Sequence, residues 1–348
     1  MQYVPVSSRV MARQIAERVT WRALRRIGLS PRVLAPLLGK HRLAPAQRAI
    51  LDLMRQDNRA SGSPFRATEI WDGVSRLFED WFAWEGIADV QTQRMSQLFS
   101  GVSRHEPKLL AYACWLLYQH IKARDSFDLL SRIPATVSAE SGLAFEFEGR
   151  RVSWELLISL DTLYAIAEVD DRVLTGPAVV VDLGAGWGRM GYALLAANPR
   201  ATYIVCDLPE ALLVSSTYLP RLLNVPVQAY AQTRGMTHID GREFAGQALF
   251  CGAQDLEKLV DKSVDCLINI GSFQEMTRPQ VDEYFSVLDR KVKGLFYTLQ
   301  LWTADTHHLQ LGEISGYGAY PFRPQWRQRY LRNVSWSNLF FETVYSIE

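Results

Sequence analysis

The stretch that decides the fold is Val179-Val180-Val181-Asp182-Leu183-Gly184-Ala185-Gly186-Trp187-Gly188-Arg189, near the middle of a chain of 348 residues. The consecutive β-branched valines predict a strand buried on both faces, as in a parallel sheet covered by helices. The strand ends at a carboxylate and alternate glycines, and residues 190–195 then return to a helical spacing. We therefore predict a strand, a glycine turn and a helix in succession, a unit that holds nucleotide-like ligands in open α/β sheets.

The glycine turn is predicted to bring a ligand against bare backbone. Gly184, Gly186 and Gly188 carry no Cβ atom, and the following helix offers N–H groups and the positive end of its dipole. Arg189, at the start of that helix, is placed either to hold a carboxylate or to lie in solvent, and both interpretations stay open. The predicted cofactor-binding turn comprises Asp182, Gly184, Ala185, Gly186, Trp187, Gly188 and Arg189.

The spacing of the glycines bears on the cofactor. Gly186-x-Gly188-x-x-Gly191 satisfies the dinucleotide fingerprint, and Asp207 follows at about the expected distance. However, Asp182 precedes the glycines, where it would repel a pyrophosphate, and Gly184 puts the tight turn one step too early for NAD. Hydrophobic-Asp-x-Gly-x-Gly-x-Gly resembles the first motif of class I methyltransferases that use S-adenosylmethionine (SAM), a zwitterion whose amino group Asp182 would meet. NAD and a glycine turn without a ligand are the alternatives.

From Pro177 onward, apolar runs alternate with helical patterns, which predicts an α/β fold with a mostly parallel sheet. Residues 225–247 lack a clear period and are interpreted as a lid or an insertion. The predicted strands are 179–183, 201–206, 248–251, 264–270 and 295–301, followed by a late antiparallel strand at 339–347.

The strand ends supply the remaining candidates for cofactor binding, because ligands of open α/β sheets bind at the carboxyl ends of the strands. Asp207, followed by Leu208, closes the second strand, where a carboxylate accepts both ribose hydroxyls or else caps the next helix. Gln254 and Asp255 follow the third strand, where an amide or a carboxylate would bind the adenine amino group. Three further candidates end the fourth strand: Asn269, Gly271 and Ser272.

Methyl transfer to oxygen requires an aligned hydroxyl group and usually a base for its proton. Glu275, in the turn after the fourth strand, is a candidate base, or alternatively a hydrogen-bonded carboxylate that holds the turn. His307 and His308 follow the fifth strand and are further candidates, since histidine titrates near neutral pH. Asp261 and Asp265 precede the fourth strand rather than follow it, so no metal site is predicted.

The first part of the chain differs in charge from the rest. The net charge is only +1, which argues against nucleic acid as a partner, yet residues 1–50 carry ten Lys and Arg residues against Glu17 alone. Residues 8–27 predict a basic amphipathic helix that either packs on its own protein or contacts an anionic membrane surface or an acidic partner. We expect a basic helical arm at 1–57, a helical cap or substrate domain at 65–170 and a cofactor-binding α/β domain at 171–348.

The cysteines and the apolar runs indicate where the protein resides. The four cysteines show no zinc-site spacing, and three of them lie in predicted strands, so buried reduced thiols are expected. No apolar run approaches the length of a membrane span, and no secretory signal is recognisable. These features predict a cytoplasmic protein.

Three stretches resemble the bacterial sugar O-methyltransferase family: residues 179–190, Cys206-Asp207-Leu208-Pro209-Glu210, and Ser272-Phe273-Gln274-Glu275-Met276 with Tyr284-Phe285. The resemblance covers roughly residues 150–348, with weaker support at 115–123. The first motif is common to many methyltransferases, whereas Asp-Leu-Pro-Glu combined with Ser-Phe-Gln-Glu-Met is more specific. The chain departs from the family at Asp182, where glutamate is more usual.

This resemblance implies a Rossmann-like class I methyltransferase domain behind an N-terminal all-helical domain. It also implies SAM as cofactor and, as substrate, a sugar hydroxyl of a saccharide or a glycosylated metabolite. Two alternatives stay open. One is a SAM-dependent methyltransferase that modifies oxygen, nitrogen or carbon of a non-sugar small molecule. The other is a SAM-binding protein without catalytic activity.

Overall fold

The computed structural model describes residues 43–87, 90, 107–135, 144–303 and 312–348. The predicted basic helix at 8–27 and the histidines His307 and His308 lie outside the described residues. The described residues form two compact units, one made of 43–48 and 73–161, the other of 49–72 and 162–348. The second unit is therefore assembled from two separate segments of the chain.

The helices of the described ranges lie mostly where apolar residues recur at helical spacing. They are α1 (Pro45–Ala60), α2 (Glu69–Glu85), α3 (Pro107–Lys122), α4 (Leu129–Arg132), α5 (Trp154–Ala167), α6 (Arg172–Thr175), α7 (Arg189–Ala197), α8 (Pro209–Leu222), α9 (Tyr230–Arg234) and α10 (Arg278–Lys291). Pro107 and Pro209 each stand at the start of a helix, where a missing N–H costs no hydrogen bond.

The strands form a hairpin and one large sheet. They are β1 (Ala144–Phe147), β2 (Arg150–Ser153), β3 (Val179–Leu183), β4 (Thr202–Asp207), β5 (Val227–Gln228), β6 (Ala248–Gly252), β7 (Val264–Ile270), β8 (Val292–Leu301), β9 (Arg327–Val334) and β10 (Ser337–Ile347).

The first unit combines helices with the β1–β2 hairpin. Glu148 and Gly149 form its two-residue turn with positive φ angles of 52° and 77°, the backbone that fits the twist of a tight hairpin. Phe147 of β1 packs edge-on against Trp115 of α3, with ring centroids 5.3 Å apart. Aromatic contacts of this kind hold the hairpin to the helix, so this part of the chain contains a small sheet as well as helices.

The second unit contains the eight-stranded sheet, in the order β5-β6-β4-β3-β7-β8-β10-β9. Strands β3 to β8 pair in parallel, while β10 is antiparallel to both β8 and β9. The strand order reverses direction between β3 and β7, which creates the switch point where such sheets bind ligands. This arrangement is the Rossmann-like sheet of class I methyltransferases, and the predicted fold class is confirmed.

Two regions of the sheet differ from the sequence prediction. Strand β9 was not predicted, because its sequence Arg-Gln-Arg-Tyr-Leu-Arg-Asn-Val is rich in arginine, as suits an exposed edge strand. Residues 225–247 form β5 and α9, and the lid interpretation is wrong because both Tyr230 and Thr233 are buried. The Thr233 hydroxyl donates to the Phe250 carbonyl of β6 at 2.6 Å, so this insertion packs on the sheet.

The core of the second unit lies on both faces of β3. Val179, Val180 and Val181 are all buried, as predicted for a central parallel strand. Within the described ranges, the helices are either too short or too polar to cross a membrane.

Candidate functional site

The glycines of the turn after β3 have positive φ angles. The φ angles of Gly184, Gly186 and Gly188 are 75°, 59° and 86°, a region that residues with a side chain rarely adopt. A Cβ atom on Gly184 would lie 2.3 Å from the Ser272 Oγ atom, and one on Gly188 would lie 2.8 Å from a methyl carbon of Leu219. Packing within the protein therefore requires two of these glycines, in addition to the predicted approach of a ligand.

Asp207 joins the end of β4 to the glycine turn. Its Oδ2 atom accepts a hydrogen bond from the Gly186 amide at 2.6 Å, and its Oδ1 atom accepts one from the Leu208 amide at 2.6 Å. Burial, together with the negative charges of Asp182 and Glu210, raises the pKa of Asp207 to about 7, although the two backbone hydrogen bonds oppose the shift. Each oxygen keeps a lone pair for another donor, such as a ribose hydroxyl.

Asp182 lies one strand away, beneath the start of α7. It is 2% exposed and accepts a hydrogen bond from the Tyr203 hydroxyl. Burial raises its pKa to about 6, although the Tyr203 bond and the charge of Arg189 oppose the shift. Arg189 is itself only 9% exposed, so the interpretation of Arg189 as a solvated residue is wrong. The structure thus places both predicted partners of a zwitterion in the interior.

The turn after β6 separates the roles of Gln254 and Asp255. The Asp255 carboxylate accepts from the Gly252 amide at 2.8 Å and pairs with Lys258 at 2.8 Å, so it holds the turn. The Gln254 Nε2 atom donates to the Tyr230 hydroxyl at 3.4 Å. Its Oε1 atom is buried, and no described residue donates to it. Gln254 is therefore the better placed of the two to accept from an adenine amino group.

The end of β7 is organised by Asn269. Its Nδ2 atom donates to the Leu183 carbonyl at 2.8 Å, and its Oδ1 atom accepts from the Gln300 amide at 2.7 Å. The fully buried Asn269 thereby ties together the ends of β3, β7 and β8. Gly271 follows with a φ of 69°, and Ser272 packs against the glycine turn. These hydrogen bonds position the turns, while direct contact of Asn269 with a cofactor stays a prediction.

Glu275 lies in a short 3₁₀ turn after β7. Its backbone amide donates to the Ser272 carbonyl at 3.0 Å, whereas its carboxyl group forms no hydrogen bond or ion pair with a described residue. Burial, together with the negative charge of Asp207, raises the pKa of Glu275 to about 8. A carboxyl group with this proton affinity suits a general base near neutral pH.

A narrow cavity lies beside Asp207 in the second unit. Part of its wall comes from α1, which the sequence analysis had not placed in the site. The signal that could have found this helix is the spacing of Leu51, Met54 and Asn58, which share one buried face. The lining residues are Met54, Asn58, Asp207, Pro209, Leu212, Tyr230, Gly252 and Gln254.

Comparison with known proteins finds similarity only among solved structures. No protein-family model matches the chain, and no curated protein matches its sequence. A protein of Pyrococcus horikoshii OT3 is 14% identical, with 54% of this chain and 90% of that chain covered and a TM-score of 0.38. A SAM-dependent methyltransferase from Aquifex aeolicus is 16% identical, with 53% and 98% covered and a TM-score of 0.32.

The bifunctional kinase-methyltransferase WbdD is 15% identical, with 53% of this chain and 39% of that chain covered and a TM-score of 0.35. Because all three TM-scores lie below 0.5, the fold assignment rests on the strand order of this chain. The site likewise rests on the geometry of its own residues.

Proposed function

We propose that the protein is a SAM-dependent O-methyltransferase whose acceptor is a sugar hydroxyl of a saccharide or a glycosylated metabolite. The observation that carries the proposal is the bond between Asp207 and the Gly186 amide at the switch point of the sheet. It places a carboxylate suited to a ribose beside the glycine turn. The carboxyl group of Glu275, which has no described partner, is close enough to be affected by the charge of Asp207.

The residues of the site fit SAM. The buried Oε1 atom of Gln254 is an acceptor without a described donor, as required for an adenine amino group. Asp207 has lone pairs for ribose hydroxyls. Asp182 and Arg189 carry opposite charges near the start of α7 and match the amino and carboxylate ends of a methionine moiety. When bound, SAM would supply a methyl group on a positively charged sulfur atom.

We assign Glu275 as the general base that takes the hydroxyl proton of the acceptor. Bound SAM would supply the methyl carbon to the hydroxyl oxygen and would keep the electron pair of the broken carbon–sulfur bond on its sulfur atom. The hydroxyl proton moves to the Glu275 carboxylate. With a pKa of about 8, Glu275 is mostly protonated at pH 7 in the free protein. A cation bound nearby favours the carboxylate form that this role requires.

The sugar acceptor is supported by the resemblance at residues 207–210 and 272–276. In the structure, residues of both motifs form contacts with other elements of the second unit. Glu210 pairs with Arg55 at 2.6 Å, and the Gln274 side chain accepts from the Leu301 amide at 2.9 Å. The second motif thus holds the Glu275 turn against β8.

Two measurements test the proposal. Isothermal titration calorimetry with SAM and with NAD is expected to show binding of SAM alone, and binding of NAD alone would overturn the assignment. Saccharide and metabolite extracts are then incubated with the protein and SAM that carries a deuterated methyl group. Labelled sugar is the expected product by mass spectrometry. A labelled non-sugar product would overturn the assignment of a sugar as the acceptor. SAM binding without any labelled product would support the non-catalytic alternative.

A further inference from the structure

Helix α1 reaches the cofactor site through Asp57. The Asp57 carboxylate accepts a hydrogen bond from the Tyr230 hydroxyl of α9 at 2.9 Å. It also accepts from Arg234, whose Nη2 atom lies 3.1 Å from Oδ1. All three residues belong to the second unit. A residue near the beginning of the described chain is thus bonded to the insertion between β4 and β6.

The direction of each hydrogen bond in this group is fixed. The hydrogen bonds from Arg234 lower the pKa of Asp57, so Asp57 is an ionised group that only accepts. Tyr230 is neutral, since burial raises its pKa well above the usual value. Its single proton is donated to Asp57, and its oxygen is left to accept. This oxygen accepts a hydrogen bond from the Nε2 atom of Gln254 at 3.4 Å.

This direction determines how the Gln254 amide is oriented. Because Nε2 must face Tyr230, Oε1 faces the other way and is left buried without a described donor. Gly252 leaves room for the amide, since a Cβ atom there would lie 2.3 Å from Nε2. Gln254, Tyr230 and Asp207 line the same cavity. The lining of this cavity therefore combines Gln254, whose Oε1 atom has no described donor, with the carboxylate assigned to the ribose.

We propose that Asp57 and Tyr230 orient Gln254 so that its Oε1 atom accepts from the 6-amino group of adenine and disfavours a purine with a carbonyl oxygen there. This inference rests on the proposed SAM site and deepens it. Asp57 and Tyr230 are positioning residues, whereas Gln254 contacts the base. A carbonyl in place of the amino group would set two acceptors against each other in a buried position, which is costly.

The test compares two ligands that differ only at that position, S-adenosylhomocysteine and S-inosylhomocysteine, by calorimetry on the full chain. The wild-type protein is expected to bind the adenosyl compound about 10- to 100-fold more tightly. Tyr230→Phe removes the acceptor for Nε2, so the amide becomes free to turn, and the ratio is expected to fall to about 3 or less. Tyr112→Phe, at a position 53% exposed in the first unit, is the matched control and should keep the wild-type ratio.

A second variant removes the acceptor of the Tyr230 proton. Asp57 Oδ2 accepts from both Tyr230 and Arg234, so in Asp57→Ala the Tyr230 proton becomes free to turn toward Gln254. The Gln254 amide is then no longer held with Nε2 toward Tyr230, and the ratio is expected to fall as it does in Tyr230→Phe. Asp52→Ala, at an exposed position on the same helix, is the control and should leave the ratio unchanged. Thermal unfolding of each variant verifies that it is folded.

The outcomes separate this inference from the proposed function. Equal binding of both compounds by the wild-type protein would overturn the orientation of Gln254 while leaving SAM binding intact. An equal loss of both affinities in Tyr230→Phe, with the ratio unchanged, would show that Tyr230 only stabilises the fold. Failure of the wild-type protein to bind either compound would overturn the cofactor assignment, and this inference with it.

Discussion

Asp182, Asp207 and Glu275 are three carboxyl groups at the carboxyl edge of the sheet, and burial raises the pKa of each, to about 6, 7 and 8. Repulsion within the group adds to the effect, because Asp182 raises the pKa of Asp207, and Asp207 raises that of Glu275. A bound cation relieves this repulsion. The carboxylates whose negative charges repel one another in the free protein are therefore the groups suited to a positively charged cofactor.

Asp207→Ala is expected to weaken SAM binding by about 1.5–3 kcal/mol, the range for hydrogen bonds to a charged group. The variant also loses the bond to the Gly186 amide, which loosens the turn. Calorimetry measures the effect. Asp282→Ala, which alters a helical ion pair with Arg278, is the control with wild-type affinity expected. An unchanged affinity in Asp207→Ala would remove this carboxylate from the site.

Glu275→Gln is expected to lower turnover about 100- to 10,000-fold at saturating SAM, because a general base contributes a factor of that size. The affinity for SAM should fall much less than turnover, since the amide keeps the size of the side chain and loses only a charge that favours the cation. Glu243→Gln, an exposed position, serves as the control. Near-normal turnover of Glu275→Gln would contradict the assignment and make His307 and His308 the next residues to substitute.

The sequence predicted some residues of the site better than others. The place of Asp207 at the end of β4 could be predicted, because the apolar run before it marks the strand, and its contact with a cofactor stays a prediction. Gln254 and Asp255 were not separable, because their roles depend on which neighbours donate to each. Met54, Asn58 and Tyr230 were missed, because their place at the cavity comes from contacts between distant segments.

Among the elements, α7 and β4 are joined by an unusually close contact. A Cβ atom on Gly191 would lie 2.3 Å from a ring carbon of Tyr203, and the hydroxyl of that ring bonds to Asp182. Gly191 thus allows the helix to lie directly on the tyrosine that holds Asp182. The third glycine of the apparent dinucleotide fingerprint is explained here by helix–strand packing.

Gly191→Ala is expected to destabilise the protein by about 1–3 kcal/mol, as usual when a methyl group is forced into a packed core. Gly235→Ala is the matched control, because its Cβ atom would make an ordinary contact of 3.6 Å with a carbonyl oxygen. Urea unfolding of both variants measures the difference. Equal stability of the two would show that α7 shifts without cost.

Elements with strong apolar patterns were predicted well, and polar ones were not. Strands β3 and β7 are apolar runs, and both lie where predicted. Strand β9 escaped prediction because an edge strand needs no continuous apolar face. The division at residues 57 and 65 stays a prediction, but Asn58 lies within α1, and its side chain donates to the Phe65 carbonyl at 2.9 Å. The first of these bounds therefore falls inside a helix.

For the whole molecule, the raised carboxyl pKa values predict how stability depends on pH. A carboxyl group whose pKa is higher in the folded state binds its proton more tightly there than in the unfolded chain. Its stabilising effect is complete below the unfolded pKa and is lost as the pH rises through the folded value. For pKa values of about 6, 7 and 8, stability without ligand should fall between about pH 5 and pH 8.

Glu275→Gln tests this dependence. At pH 8 the variant should be more stable than the wild-type protein, on the order of 4 kcal/mol, because the pKa of Glu275 rises from 4.5 to about 8 on folding and an amide never carries the buried charge. At pH 5 the two proteins should differ little. Denaturant unfolding at both pH values gives the comparison. A difference of the same size at both would contradict the role of ionisation.

The assembly of the second unit from two segments has a consequence for biosynthesis. Arg55 and Glu210 are bonded although 155 positions separate them, and Asp57 and Tyr230 are 173 positions apart. During translation, α1 leaves the ribosome long before α8 and α9, which carry these two partners, and it has to await them while the first unit is being synthesised. A fragment that starts at residue 171 would lack α1 altogether and would leave Tyr230 without Asp57 and Glu210 without Arg55. The second unit therefore cannot be separated from the first by a single cut of the chain.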